Sequence, residues 1–399
     1  MPILVILLAA AAAITAGFLA TSVSPYAILV LTGCVLVAVF AFLSPKLSLV
    51  LLLASMLFSP EIGLGIVPGG RSLVLRYDDI LIVIIFLAWF ARTAIFKHKP
   101  FITETPVQTP ILVYTVLTIV STSLGILRGD IKFETSFFYI LKYVEYFLIY
   151  FMTVNVLDSK EDIKKYLRYS CFLALAVTAY AYYYYYAAAG PDARASMPFE
   201  APIGKPQESE PASLGGYYLL VFGFILASMT EYSGSVLALA IASMLFMLPA
   251  FLLSFSRASY IGFVILLAGL ILKTGKRRLL LISIMVLGAV MFLGIKDFSG
   301  KVRERVEMTY SGKSAVNEVS FLGVSIKLED SAYVRYVNMR NAFTERLPEH
   351  PLLGRGITGV GLADTQFALL LGELGHRLFL FFLDAIQDIF RGECGLSGL

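Results

Sequence analysis

Val236–Phe255 reads VLALAIASMLFMLPAFLLSF, twenty residues without a single charge. A helix needs about 20 predominantly apolar residues to cross roughly 30 Å of hydrocarbon, so this stretch reads as a membrane span. The same pattern repeats outward in both directions. Upstream lie Ile3–Ala20, Tyr26–Leu43, Ile80–Phe96, Pro110–Leu127, Phe137–Leu157, Tyr166–Ala189 and Leu214–Met229. Downstream lie Ser259–Leu272 and Leu279–Ile295. Leu47–Phe58 is short for a crossing, and Phe367–Leu374 with Leu378–Leu383 forms a broken final candidate. The expected fold class is all-α: a polytopic transmembrane helical bundle of about 11–12 helices.

Composition agrees. The chain is 58% hydrophobic and only 15% charged, with a mean hydropathy of +0.80. A soluble domain cannot hide that much apolar surface, and lipid is the solvent that removes the need. A net charge of +4 is too small to imply a nucleic-acid partner. Cys34 and Cys171 sit in apolar stretches and Cys394 in the tail, which is no disulfide framework. His98, His350 and His376 are scattered without metal-ligand spacing, so no metal and no cofactor is expected. No Lys or Arg precedes Ile3–Ala20, so the basic start of a signal peptide is missing and the stretch reads as the first membrane helix.

Basic residues in short loops set the orientation. With a cytoplasmic N-terminus, Lys46, the Arg92–Lys99 cluster, the Lys160–Arg168 cluster and the Lys273–Arg278 cluster all fall inside. The loops left outside carry isolated cations such as Arg71, Arg76, Arg128, Lys132 and Arg257. This alternation counts Leu47–Phe58 as a crossing. Residues 1–295 then form the bundle, 296–364 a large extracytoplasmic loop between the last helices, and 365–399 a degenerate or truncated final membrane segment and tail. Within the loop, Lys301–Tyr310 reads as a short charged helix. Asp330-Ser331 caps a second helix through Leu347, with Tyr336, Met339, Phe343 and Leu347 on one stripe, ended by Pro348 and Pro351. Tyr182–Tyr186 lies near the outer end of its span, as an interfacial anchor or a platform on which sugars stack.

Four features carry possible chemistry, each with a plainer alternative. Ser254-Phe255-Ser256-Arg257-Ala258-Ser259-Tyr260 is a polar knot between two spans. Arg257 either snorkels into headgroups or stands at a helix start, where free N–H groups, the helix dipole and Ser256 make a seat for phosphate. Arg335 follows Ser331 by one turn, and its alternative is an ordinary surface arginine. His350-Pro351-Leu352-Leu353-Gly354-Arg355-Gly356 is a turn-rich apolar segment suited to packing near the membrane. Asp364-Thr365-Gln366-Phe367, then Gly372-Glu373-Leu374-Gly375, put carboxylates at the last apolar segment, where Asp364 is otherwise a helix cap.

In this order and placement, S-F-S-R-A-S-Y, D-S-A-Y-V-R, H-P-L-L-G-R-G-I-T-G, D-T-Q-F and G-E-L-G resemble the O-antigen ligase and O-antigen polymerase superfamily. The resemblance runs from about Pro211 to Gly375 and includes Gly215-Gly216-Tyr217; the N-terminal half agrees only in hydropathy. It implies a metal-independent glycosyltransferase of cell-envelope polysaccharide biosynthesis, in the cytoplasmic (inner) membrane. Its donor would be a polyprenyl-pyrophosphate-linked glycan, its acceptor a glycan or lipid-linked acceptor, and membrane lipid its surroundings. It also implies that Arg257 and Arg335 bind the donor pyrophosphate, beside Ser256. A base must take the proton of the attacking hydroxyl.

Ligases of that family carry H-N-x-[YF]-L where this chain has Asp364-Thr365-Gln366-Phe367-Ala368. Asp364 therefore stands in the place of the family's histidine, which favours the polymerase branch. By position Asp364 is the expected base and His350 the second candidate. After Gly375 the chain turns to His376-Arg377, Asp384, Asp388 and Arg391 where the family continues apolar. The competing reading is a polytopic transporter. It has only Lys142 and Glu145 as a mid-span ionisable pair, and no internal repeat to support it. A non-catalytic membrane scaffold is the third.

Overall fold

The computed structural model describes residues 24–66, 72–96, 103–187, 193–199, 201–202, 205, 209–274, 277–294, 300, 317–321, 324–328, 330–360 and 365–376. The expected first helix Ile3–Ala20, the charged helix Lys301–Tyr310, Asp364 and the tail after His376 lie outside the described residues. The chain divides into two compact units. One comprises Met1–Ser55, Tyr77–Thr103 and Glu145–Lys164, the other Met56–Arg76, Glu104–Val144 and Lys165–Leu399.

The chain runs through α1 (Pro25–Leu43), α2 (Pro45–Phe58), the hairpin β1 (Glu61–Ile66) and β2 (Ser72–Arg76), then α3 (Tyr77–Phe96), α4 (Gln108–Arg128), α5 (Phe133–Val156) and α6 (Lys160–Ala187). After a loop come α7 (Pro211–Glu231), α8 (Ser235–Leu252), α9 (Arg257–Lys273) and α10 (Arg278–Gly294). A second hairpin, β3 (Asn317–Phe321) and β4 (Val324–Leu328), precedes α11 (Asp330–Asn341). The last described helix, α12, covers residues 366–376.

Among the described residues, five helices are long and apolar enough to cross a membrane: α3, α4, α5, α7 and α8. Their outward faces carry Leu112, Leu220 and Phe224, each more than half exposed. Water would penalise such a surface, whereas lipid does not. Hydroxyls inside these helices return to their own backbone. Thr115 donates to the Ile111 carbonyl at 2.8 Å, Thr93 to Trp89 at 2.9 Å and Thr153 to Ile149 at 2.7 Å. No polar hydrogen is left facing hydrocarbon at these positions.

In the first unit α1 packs on α3. Arg92 closes α1 by donating to the Phe42 and Leu43 carbonyls, two of the acceptors that every helix end leaves over. Ser159 accepts the Asp162 N–H at 3.1 Å to start α6, and Asp162 in turn holds Lys46 at 2.6 Å. A cavity of about 230 Å³ lies among Lys46, Trp89, Arg92, Thr93 and Asn155. Both of its cations are thus already engaged.

In the second unit the core is an aromatic stack across α7, α8 and α9. Tyr218 stacks on Phe222 at 5.5 Å, and Phe222 meets Phe251 edge-on at 5.4 Å. Phe251 meets Tyr260 at 5.5 Å. Leu214, Tyr218, Phe222, Ile225, Leu226 and Met229 share the buried face of α7 at helical spacing. The buried Tyr218 hydroxyl donates to Thr178 Oγ1 at 2.8 Å, so the polar tip is satisfied.

Two details depart from the helix-only expectation. The hairpins are short antiparallel pairs in connecting segments, and Glu61 of β1 also donates its N–H to the Ala201 carbonyl at 2.9 Å. The second is in the loop helix, which runs on from α11 through a π-helical turn, Ala342–Arg346, to Leu347–Glu349. That wider turn rotates the side chains beyond it about the helix axis. Ala342 is fully buried with Met339 against Val360 and Ala368, while Phe343, expected on the stripe, is 52% exposed.

Candidate functional site

Two assemblies in the second unit carry the sequence-predicted residues. The first is the turn between α8 and α9. Pro249 lies in the last turn of α8, which stops at Leu252. Ser254 then donates to the Phe251 carbonyl at 2.7 Å, and Phe255 takes φ +51°, a left-handed conformation rare for a bulky side chain. Tyr260 donates back to the Leu252 carbonyl, and Ala195 to the Leu253 carbonyl at 2.9 Å, which fix the turn from both sides. Strain held this firmly is the kind that marks functional turns.

Arg257 is the first residue of α9 and is half-buried. Ser256 stands at the N-cap with extended backbone, yet its hydroxyl makes no cap and instead meets Ser259 Oγ at 2.7 Å. The first turn of α9 therefore begins without a side-chain cap from Ser256, at the end of the helix whose dipole favours an anion. Ser254, Ser256 and Ser259 are all buried. Gly215 of α7 lets this happen: a Cβ there would lie 2.2 Å from Ser259 Oγ.

The second assembly is segment 350–360, which lies along the end of α4 and the start of α5. Arg128 ends α4, and Gly129 at φ +80° and Asp130 close the helix by donating to the Ile126 and Gly125 carbonyls, both at 3.0 Å. Only glycine takes that left-handed cap without cost. Arg128 Nη2 donates to the Gly354 carbonyl at 2.8 Å and its Nε to Asp130 Oδ2 at 2.8 Å. Asp130 Oδ2 also lies 3.6 Å from His350 Nε2. Arg355 is held by Glu349, with Nε donating at 3.0 Å.

The segment is tied down further at its centre. The single hydroxyl proton of Ser121 in α4 is shared between the Leu353 carbonyl and the Glu373 carbonyl, the latter at 2.7 Å. Ile357 N–H reaches Thr122 Oγ1 at 3.2 Å, and Ser136 Oγ donates to the Ile357 carbonyl at 3.1 Å. Arg355 and Gly356 donate to the Gly372 and Glu373 carbonyls of α12 at 3.0 and 2.9 Å. Glu373, only 2% exposed, accepts the Thr358 N–H at 2.9 Å.

His350 is thus brought to Asp130, and Ser256 to the start of α9 beside Arg257. Arg335 stands on the exposed face of α11, whose neighbours are β3 and the π turn. Asp364 is outside the described residues. Arg128 and Asp130 escape sequence reading as site residues, because as loop charges they look like any snorkelling pair. The one signal was Arg128-Gly129-Asp130 itself, a helix-ending glycine flanked by opposite charges. No protein-family model, no curated protein and no solved structure matches the chain. Its own residues carry the functional reading.

Proposed function

We propose that the chain is a metal-independent membrane glycosyltransferase. It moves a polyprenyl-pyrophosphate-linked glycan onto a glycan or lipid-linked acceptor at the outer face of the cytoplasmic membrane, as a polymerase in preference to a ligase. The observation that carries this reading is Arg257 at the uncapped, strained start of α9, above buried serine hydroxyls. Transfer breaks the bond between the anomeric carbon and the pyrophosphate oxygen, and the electron pair leaves on pyrophosphate. A planar guanidinium and convergent N–H groups are what that developing charge needs. The acceptor hydroxyl supplies the new C–O bond, and its proton passes to a base.

The multi-pass topology has a cytoplasmic N-terminus, set by the basic clusters, and about 11–12 crossings; the grouping of loops on common faces has its own support in contacts between them. In the second unit, Glu61 meets Ala201, Ala195 meets Leu253 and Arg128 meets Gly354, all between loops assigned outside. Arg277 donates to the Met229 and Tyr232 carbonyls, between two loops assigned inside. In the first unit, Lys46 meets Asp162, and Arg92 meets Leu43, again between loops assigned inside. Loops on opposite faces of a bilayer cannot touch, so each pairing accords with the alternation of the spans, while the basic clusters decide which face is cytoplasmic.

The test is the purified full-length chain in lipid vesicles with a polyprenyl-pyrophosphate-linked oligosaccharide. Release of polyprenyl pyrophosphate with a longer or re-attached glycan is the expected result. Passage of intact lipid-linked glycan or free sugar across the bilayer, with no bond broken, would sink the enzyme and favour the transporter.

A further inference from the structure

We propose that Asp130 is a positioning residue for His350, holding the imidazole so that its other nitrogen takes the proton of the acceptor hydroxyl. This rests on the glycosyltransferase reading above. Three observations lead to it. The carboxylate is built on a rigid base: the Asp130 backbone is fixed by its hydrogen bond to Gly125 at the closed end of α4. Asp130 stands two residues beyond Arg128, the last residue of α4, and this backbone bond ties it to the helix.

The same helix end also fixes His350. Arg128 grips Asp130 Oδ2 with Nε and the Gly354 carbonyl with Nη2. Gly354 in turn donates its N–H to the His350 carbonyl at 2.9 Å. One guanidinium therefore references both the histidine's backbone and the carboxylate that faces its ring. Arg355, the other guanidinium of the group, is turned to Glu349 and leaves Asp130 to Arg128 and His350.

Chemistry follows from which nitrogen faces the acid. With Nε2 toward Asp130 Oδ2, the tautomer carrying its proton on Nε2 is the one the carboxylate stabilises, and Nδ1 keeps its lone pair. Their separation of 3.6 Å is longer than a hydrogen bond. Such contacts shorten when substrate fills the site. As the acceptor oxygen bonds the anomeric carbon, its proton moves to Nδ1. The pyrophosphate leaves with the electron pair, and the imidazolium, balanced by Asp130, then gives its proton to water.

The experiment uses the purified full-length chain in vesicles with a polyprenyl-pyrophosphate-linked oligosaccharide, and reads kcat and KM for polyprenyl pyrophosphate release. Asp130→Asn is expected to lower kcat about 10- to 10²-fold, a share of the roughly 10²–10⁴ that a positioned base supplies, with KM unchanged. Asp130→Glu recovers most of it. In a His350→Gln background, Asp130→Asn costs nothing further, because the residue acts only through the histidine. Asp130→Ser, read the same way, serves if the asparagine variant fails to fold. An unchanged kcat, a loss confined to KM, or a loss that multiplies with His350→Gln would overturn the proposal while leaving the enzyme intact. Absence of release from the unsubstituted chain overturns the glycosyltransferase reading itself, and this inference with it.

Discussion

The carbonyl oxygen of Arg355 lies 2.2 Å from where a Cβ on Gly125 would stand, so segment 350–360 rests directly on the backbone of α4. Nothing flexible intervenes: the obstructing atom is main chain. Gly125→Ala is therefore expected to push the segment off the helix and destabilise the chain by about 1–3 kcal/mol, although alanine is the better helix former. Gly216→Ala is the control, since a Cβ there meets nothing within 4 Å. Thermal unfolding in detergent should show a lower Tm for the first and no loss for the second. Equal Tm values for the two would mean that the segment does not pack as described.

Glu373 supports the same segment from α12. Its carboxylate accepts the N–H of Thr358, which sits at φ +74°, an uncommon conformation for a β-branched residue. Glutamine keeps an acceptor and nearly the same volume, so Glu373→Gln should fold close to normally. Glu373→Ala leaves the amide without that partner and should cost about 1–3 kcal/mol. Limited proteolysis around Arg355 measures the difference. Equal protection in both variants would remove Glu373 as the support.

Orientation is tested with cysteines at two exposed positions, Ser233 between α7 and α8 and Thr344 in the π turn, in a chain lacking the three native cysteines. An impermeant thiol reagent on intact cells should label position 344 and spare 233. The reverse pattern would invert the topology and move the candidate site to the cytoplasm.

Much of the fold is legible in sequence because hydrocarbon imposes one simple requirement. Val236–Phe255 announces α8 by its lack of charge, and the helix forms at Ser235–Leu252. The ends are less legible. α6 starts at Lys160, six residues before the apolar run, because Ser159 caps a charged turn to which hydropathy is blind. The hairpin β1–β2 is missed because its glycines read as a loop, and β-pairing shows only when the partner strand is in place. At the site, Arg257 and Ser256 are legible as polar residues crowded between two spans. Asp130 and His350 are distant in sequence, and only the closed end of α4 makes them neighbours.

Arg257→Lys keeps the charge and is still expected to lose most transfer activity. Lysine is a point charge and cannot make the planar two-pronged contact with phosphate oxygens. A rate loss of about 10²–10³, typical of one strong oxyanion contact, is expected with normal expression. Arg335→Ala should show a comparable loss if α11 reaches the donor. Normal transfer in both Arg257→Lys and Arg257→Ala ends the phosphate-seat proposal.

The choice of base is the last prediction, and position and geometry pull in different directions. Asp364 occupies the place where the resembled family has its histidine. An ordinary aspartate, with a pKa near 3.9, is a poor base at neutral pH, whereas imidazole titrates closest to it. His350 also has what a general base needs, a carboxylate facing one ring nitrogen and a backbone fixed through Gly354. A leaving group as good as pyrophosphate lowers the demand on any base, so the expected loss is moderate. His350→Gln should lower kcat by about 10²-fold, and Asp364→Asn by clearly less, at matched protein levels. Placing a histidine there with Asp364→His then adds activity in the His350→Gln background, because a second imidazole can take over the proton. If Asp364→Asn abolishes transfer while His350→Gln retains it, the assignment reverses and Asp364 is the base. If transfer survives both, the proton goes elsewhere, and neither side chain touches the acceptor hydroxyl.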